Sequence, residues 1–391
     1  MNDISSIIEN KFREIYQTDP VIIRSPGRVN LIGEHTDYNE GFVLPAAIDR
    51  AVYFAISSRD DDTGSFYAMD LDQKYDIPIT NLKKSSLGWP NYLMGVIDQI
   101  LKRGENLRGF NCVFGGNIPI GAGLSSSAAL EAGLAFGLNE IFQFNISRTD
   151  LVKIAQSAEN EFVGVQCGIM DQLINIYGCE NQVLRLDCRS LEYQYYPFDS
   201  ERVKIVLCDS QVQRELSNSE YNLRRSQCEL GVSILKQFHP EVKSLRDVSL
   251  KMLQEHEDEF DPVVYKRCHY VIEENTRVIE SCTDLENNNF KEFGRKMFLS
   301  HQGLRDDYEV SCRELDILVE AARQHPGIIG ARMMGAGFGG CTINLVWTEQ
   351  LENFEQWMTK IYKDKLHKEA LIYVTDIMRG SEILRERIMN L

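Results

Sequence analysis

The spacing of apolar positions divides the chain into elements before any single residue draws notice. Ile4, Ile7, Ile8, Phe12 and Ile15 recur at helical spacing and predict an amphipathic first helix. Residues 21–23, 52–56 and 110–114 are short apolar runs between turn residues, and read as strands. The run Asp60-Asp61-Asp62-Thr63-Gly64 reads as a hairpin turn with solvated acids. Helical patterns cover 128–142, 151–162 and 169–176. A new strand is expected over 203–207, after an aromatic and polar stretch at 193–200. The second half is helix-rich to Gln324, with a helix over 314–323, and returns to strands at 342–347 and 371–375. There is no internal repeat and no low-complexity segment. This order predicts an α+β architecture in two lobes, 1–195 and 196–391, with the active site between them.

Composition narrows the function classes. At 391 residues the chain is long enough for two domains. Its 43% hydrophobic and 26% charged residues fit an ordinary globular protein. A net charge of −16 argues against a nucleic-acid partner, which calls for a basic stripe. The same charge obliges any triphosphate site to invert the field locally, with Arg, helix N-termini and a metal. The ten cysteines show no C-x-x-C pair and no zinc-like spacing with histidine. They read as free thiols in a reducing cytoplasm. Asn2-Asp3 stands where a signal peptide would be basic, so none is expected. No apolar run approaches the roughly 18 residues of a membrane span, and no membrane partner is expected.

Three segments carry candidate chemistry. The first is Arg28-Val29-Asn30-Leu31-Ile32-Gly33-Glu34-His35-Thr36-Asp37-Tyr38, with Pro26 and Gly27 before it and Asn39 and Gly41 after it. The flanks predict a turn, and turns that present several polar side chains are common at binding sites. Paired carboxylates suit vicinal hydroxyls, as on a sugar; a solvated surface turn is the plainer alternative. The second is Pro119-Ile120-Gly121-Ala122-Gly123-Leu124-Ser125-Ser126-Ser127, between an expected strand and helix. Glycines admit close backbone approach, and a helix start favours phosphate. One serine would suffice for a plain helix cap; three exceed it. The third is Gly330-Ala331-Arg332-Met333-Met334-Gly335-Ala336-Gly337-Phe338-Gly339-Gly340-Cys341. Gly335, Gly337 and Gly340 fit G-x-G-x-x-G, but that fingerprint needs a strand before and a helix after. Here the expected order is helix, loop, strand, so the dinucleotide reading is rejected. A loop built for close approach to a ligand or another loop remains.

Together these segments resemble the galactokinases of the GHMP small-molecule kinase family. The first resembles the sugar signature nearly residue for residue, the second the phosphate loop, the third the C-terminal glycine-rich motif. Glu159 to Gln172 (ENEFVGVQCGIMDQ) and Tyr221 to Cys228 (YNLRRSQC) are similar to further segments, in the family's order. Met334 departs from the pattern, where a small hydroxyl residue is expected. The resemblance implies a two-lobed GHMP kinase fold. It also implies ATP-dependent phosphorylation of the anomeric C1 hydroxyl of galactose. Asp171 would be the base and Arg28 would sit beside it. Glu34, His35, Thr36, Asp37, Gly168, Asp171 and Tyr221 would contact sugar. Gly121, Ala122, Gly123, Leu124, Ser125, Ser126 and Ser127 would bind ATP, with Trp89 stacked on the adenine. Ser127 and Glu159 would hold Mg²⁺. Read alone, Asp171 is a first-turn helix residue, Glu159 a solvated acid with Glu161 equally placed, and Trp89 a core residue.

No Walker A motif competes, since the chain contains no Gly-Lys pair. The His-Arg-Asp and Asp-Phe-Gly segments of protein kinases are also missing. Two rival readings stay open. One is a sister sugar-1-kinase acting on N-acetylgalactosamine, galacturonate or arabinose. The other is a galactose-and-ATP sensor without activity; the intact Ser127-Ala128 pair and Asp171 favour an enzyme. A monomer is expected.

Overall fold

The computed structural model describes residues 3–119, 121–212 and 217–385. The largest sheet has six strands, in the order Glu382–Arg385, Val21–Asn30, Pro45–Ser58, Phe110–Gly116, Thr63–Ala68, Gln73–Pro78. Neighbours are antiparallel except Thr63–Ala68, which runs parallel to Phe110–Gly116. That pairing corrects the hairpin expectation at 60–64. The strands on either side of this turn are not partners, because Phe110–Gly116 lies between them. Two of the turn's backbone hydrogen bonds go to the residue before that strand. The Gly109 amide donates to the Asp61 carbonyl, and the Arg59 amide donates to the Gly109 carbonyl.

The helix Ser126–Phe142 packs on this sheet. It is buried on several sides, as its run of small apolar residues requires. A Cβ at Gly133 would lie 2.4 Å from the Phe54 ring, and one at Gly137 2.5 Å from an Ile56 methyl. Only glycine lets this helix lie so close to the strand Pro45–Ser58. The expected helix over 151–162 is divided. Regular helix ends at Ser157, and a wide π-turn follows at Ala158–Val163. Such turns recur at functional sites.

The second half builds a four-stranded antiparallel sheet, in the order Ile328–Met333, Cys341–Trp347, Val203–Asp209, Ile372–Thr375. The strand Ile328–Met333 was not expected. It is buried on both faces, so it lacks the alternation that marks a half-exposed strand. Its Gly330 looks like a break, but it is a close contact. A Cβ there would meet Gly294 of the helix Phe290–Asp306 at 2.4 Å. The glycine-rich loop therefore joins two antiparallel strands. A strand still follows it, so the dinucleotide reading stays excluded.

The halves share one hydrophobic core. Val29, Leu31 and Ile32 of the signature segment pack with Phe293, Met297, Ile343 and Leu345. Met334 is wholly buried in the same core, a place for an apolar side chain rather than a hydroxyl. A three-stranded sheet, Phe42–Val43, Gln182–Asp187 and Tyr193–Pro197, completes the architecture. Cys112, Cys208, Cys228, Cys268 and Cys282 are buried thiols outside any disulfide. Among the described residues no helix is long and apolar enough to cross a membrane.

Candidate active site

The signature segment leaves the strand Val21–Asn30 and turns at Gly33–Asn39. His35 sits in the left-handed region, with φ +63°, uncommon for a residue other than glycine. The turn is held from below. Thr36 is wholly buried and shares its hydroxyl proton between the carbonyls of Gly33 and Phe42. The distant helix Pro262–Glu286 supplies two more fasteners. Glu274 accepts the Gly33 amide at 2.9 Å and Asn275 accepts the Phe42 amide at 2.9 Å.

Glu34, His35 and Asp37 project from this turn into one small cavity of about 220 Å³. Arg28, Gly168, Asp171 and Tyr221 also line it. Glu34 is buried, and Oε1 accepts the Gly335 amide at 2.8 Å and the Arg332 guanidinium at 3.2 Å. Burial alone would raise its pKa; Arg332, Arg28 and the Gly335 amide more than offset that and hold it below the usual carboxylate range. Arg332 is wholly buried and donates to the Leu31, Asn30 and Met333 carbonyls as well. The glycine-rich loop thus serves another loop, bringing its backbone onto Glu34.

His35 is buried, and desolvation pushes its pKa down to about 4, so the imidazole is neutral at physiological pH. Tyr221 lies 5.6 Å from it, ring centre to ring centre. Asp37 sits against Gly168, where a Cβ would come within 1.8 Å of the Asp37 carboxylate. A side chain there would displace the Asp37 carboxylate.

Burial, then the charge of Asp171, push the Asp37 pKa from 3.8 up to about 6. The native state therefore binds the extra proton between about pH 4 and 6. Stability falls as pH rises through that window and stays lower above it. We expect Asp37→Asn to stabilise the sugar-free protein at pH 7.5 by at most about 3 kcal/mol, at 1.36 kcal/mol per pKa unit, and to weaken galactose binding. Thermal melts of both proteins at pH 4 and pH 7.5 check it. The gap in Tm is expected to be wider at pH 7.5; equal gaps would refute the charge argument.

The glycine- and serine-rich loop at 121–127 meets this cavity at Asp171. Asp171 lies in the first turn of the helix Met170–Tyr177. Arg28 grips it with two hydrogen bonds, Nε to Oδ1 at 2.7 Å and Nη2 to Oδ2 at 2.9 Å. A third Arg28 bond reaches the Gly123 carbonyl at 2.6 Å. The Ser125 hydroxyl also donates to Asp171 Oδ2. Ser125 stands at the N-cap position of the helix Ser126–Phe142 with φ +59°, yet its side chain makes no cap hydrogen bond. The helix N-terminus keeps its amides unclaimed by that serine, as an anion site requires. Gly121, Ala122, Gly123 and Leu124 form the approach to this terminus, and Ile120 lies outside the described residues.

Glu159 reaches the same region from the π-turn. It is buried and accepts from Gln172 Nε2 at 2.9 Å; burial and then the charge of Asp171 raise its pKa, while the nearby Ser127 hydroxyl and Cys167 thiol counter that. Glu161 is exposed and pairs with Lys102 and Gln99, which separates the two acids that sequence left equal. Sequence reasoning missed Glu131, wholly buried beside Glu159 on the helix Ser126–Phe142. Neither of its carboxyl oxygens completes a hydrogen bond of good geometry among the described residues. Burial, then the charge of Glu159, hold its pKa well above the carboxylate range.

Trp89 lies apart from the small cavity. It begins the helix Trp89–Lys102, and its indole donates to Gln73 at 2.9 Å. Its ring packs on Tyr75 and Phe114, with centroids 6.0 and 5.5 Å away.

A cleft where a helix N-terminus, an Asp–Arg pair and a polar turn converge matches a small-molecule kinase class. Residues 91–179 match the GHMP kinases N terminal domain, and residues 282–357 the GHMP kinases C terminal model. Residues 10–58 match the galactokinase galactose-binding signature. The chain is 44% identical to a galactokinase of Thermotoga maritima over 359 residues, covering 92% of this chain and 98% of that one. It is 43% identical to a galactokinase of Roseiflexus over 368 residues, 94% of each. The crystal structure of Lactococcus lactis galactokinase complexed with galactose superposes with a TM-score of 0.92 at 34% identity, covering 98% of this chain and 100% of that one. The chain belongs to the galactokinase family.

Proposed function

We propose that this protein transfers the γ-phosphoryl group of ATP to the C1 hydroxyl of galactose, giving galactose 1-phosphate and ADP, the first committed step of galactose catabolism. The observation that carries the reading is the double engagement of Asp171. One carboxylate opens on the cavity lined by Glu34, His35, Asp37 and Tyr221 and is bonded by Ser125 of the phosphate loop. An acceptor hydroxyl and a phosphate are thereby brought to one place, which is most of what phosphoryl transfer asks of a protein.

In this reading Asp171 Oδ1, which takes a single hydrogen bond from Arg28, receives the C1 proton as the oxygen attacks phosphorus. Arg28 holds the carboxylate in place through two hydrogen bonds and offsets charge on the transferring group. Glu34, Asp37 and Tyr221 orient the sugar, with His35 as a neutral hydrogen-bonding partner. The amides of Gly121 to Ser127 cradle the phosphates, and Trp89 walls the adenine. Glu159 and Ser127 fit Mg²⁺. A carboxylate raised in pKa by burial and by the charge of Asp171, beside a hydroxyl, is an oxygen donor set that a hard cation satisfies. When bound, the ion supplies charge neutralisation between the phosphates. The free thiols support a cytoplasmic site of action, and we take 1–195 and 196–391 as the two domains of a monomer.

The test is ADP release with galactose against a no-sugar control, with N-acetylgalactosamine, galacturonate and arabinose alongside. Galactose is expected to give the highest kcat/KM. Release independent of sugar, or faster with a sister sugar, would overturn the assignment. Activity is expected to need a divalent metal. Ser127→Ala is expected to lower it and raised Mg²⁺ to recover it, because water replaces one lost ligand. No recovery at excess Mg²⁺ would place the serine on the phosphate or the helix cap instead.

A further inference from the structure

Behind His35 runs a line of hydroxyl and thiol groups that the reaction does not use. His35 Nδ1 lies 2.8 Å from the Tyr38 hydroxyl. That hydroxyl lies 2.7 Å from the Tyr308 hydroxyl, which lies 3.2 Å from Cys228 Sγ. Tyr308 and Cys228 are buried, and both come from the second half of the chain. At the other edge of the ring, the buried His35 Nε2 completes no hydrogen bond of good geometry among the described residues, although the Ala336 carbonyl lies close to the imidazole and both residues line the sugar cavity.

Each group in this line has one proton, so the line has two states. Either every proton points toward His35, or every proton points away. In the first state Nδ1 accepts, and the single proton of the neutral ring sits on Nε2. In the second, Nε2 is bare. Both ends favour the first. Sulfur is a weak acceptor, so a hydroxyl proton ends poorly on Cys228. Burial keeps that thiol protonated, with its pKa raised to about 11, and able to donate. At the ring, the Glu34 charge and the Ala336 carbonyl favour a proton on the imidazole. Carboxylates surround the cavity at Glu34, Asp37 and Asp171, so acceptors are plentiful and donors are scarce.

We propose that the Cys228–Tyr308–Tyr38 line fixes His35 as its Nε2–H tautomer, a donor aimed at an accepting oxygen of the sugar. Tyr38 and Tyr308 are then positioning residues for sugar selection. The accepting oxygen is the ring oxygen or a hydroxyl that donates to one of the carboxylates. The idea rests on the sugar-site reading, so one arm of its test needs no substrate.

That arm is ¹⁵N NMR of histidine-labelled protein without sugar, with the His35 signals identified by their loss in His35→Gln. The wild type is expected to show protonated Nε2 and bare Nδ1, and Tyr38→Phe a mixture of tautomers. Protonated Nδ1 in the wild type would overturn the proposal whether or not galactose is a substrate. The second arm is kinetic. Tyr38→Phe and Cys228→Ala are expected to raise the galactose KM about tenfold, as for loss of one hydrogen bond to a ligand, with kcat and the ATP KM within twofold. Cys228→Ser, which restores a donor, is expected to keep the wild-type KM. Equal KM values for the alanine and serine variants, with both folded by thermal melting, would also overturn it. If the wild type fails to phosphorylate galactose, the functional reading falls and the tautomer measurement still decides the line.

Discussion

Asp171→Asn is expected to lower kcat by about 10²–10⁴-fold, the usual contribution of a general base. The substitution keeps the shape of the side chain and removes the proton acceptor. Arg28 would hold an asparagine by one oxygen in place of two, since the amide nitrogen cannot accept. Some loosening of Arg28 is therefore included in the loss. Galactose and ATP affinities, read by equilibrium titration, are expected to stay near wild type, because in the proposed site the signature turn supplies most of the sugar contacts. A loss below about tenfold against that benchmark would mean that Asp171 only orients the sugar, with Arg28 carrying more of the catalysis.

Glucose is expected to be a poor substrate, with kcat/KM at least about 10²-fold below that of galactose. The two sugars differ in the orientation of one hydroxyl, at C4. A flexible polar wall could follow the displaced hydroxyl; this one is fixed. Glu34 is tied by the Gly335 amide and by a guanidinium with no solvent exposure. Asp37 is blocked on one side by Gly168. A hydroxyl in the wrong place leaves a buried group unpaired, at about 1–3 kcal/mol, and presses on a wall that cannot yield. The measurement is kcat/KM for both sugars at saturating MgATP. Comparable values would refute discrimination at C4 and indicate a broader hexose kinase.

Much of the site was legible because its residues lie in short contiguous runs. Arg28 to Tyr38 and Gly121 to Ser127 announce themselves by residue type and by flanking glycines. What stayed hidden is what only tertiary contact supplies. Arg332 and Glu34 are about three hundred positions apart and still form one buried pair. Glu274 and Asn275 look like ordinary helix residues until the Gly33 and Phe42 amides reach them. Glu131 falls in an alanine-rich helix that gives no sign of a second acid behind it. The fold divides in the same way. Amphipathic helices such as Ile4–Tyr16 and Arg313–Arg323 follow from their spacing. The strand Ile328–Met333 does not, because a strand buried on both faces has no period to read. The turn at 60–64 misled because local turn chemistry says nothing of which strand lies beside which.

The direction of protein synthesis bears on when this site can exist. A ribosome delivers the sugar signature within the first forty residues, long before its supports. Glu34 must wait for Arg332 and Gly335, and the strand Val21–Asn30 gains its outer neighbour only when Glu382–Arg385 has emerged. Until then Glu34 lacks its Arg332 guanidinium and its Gly335 amide, and the sheet ends on an open edge. A nascent chain therefore has no competent sugar pocket, and the contacts that complete it are those that close last. Chains halted before Arg332 would be exposed to proteases and self-association through that edge. Galactose would not rescue them, because it would find no assembled pocket to bind.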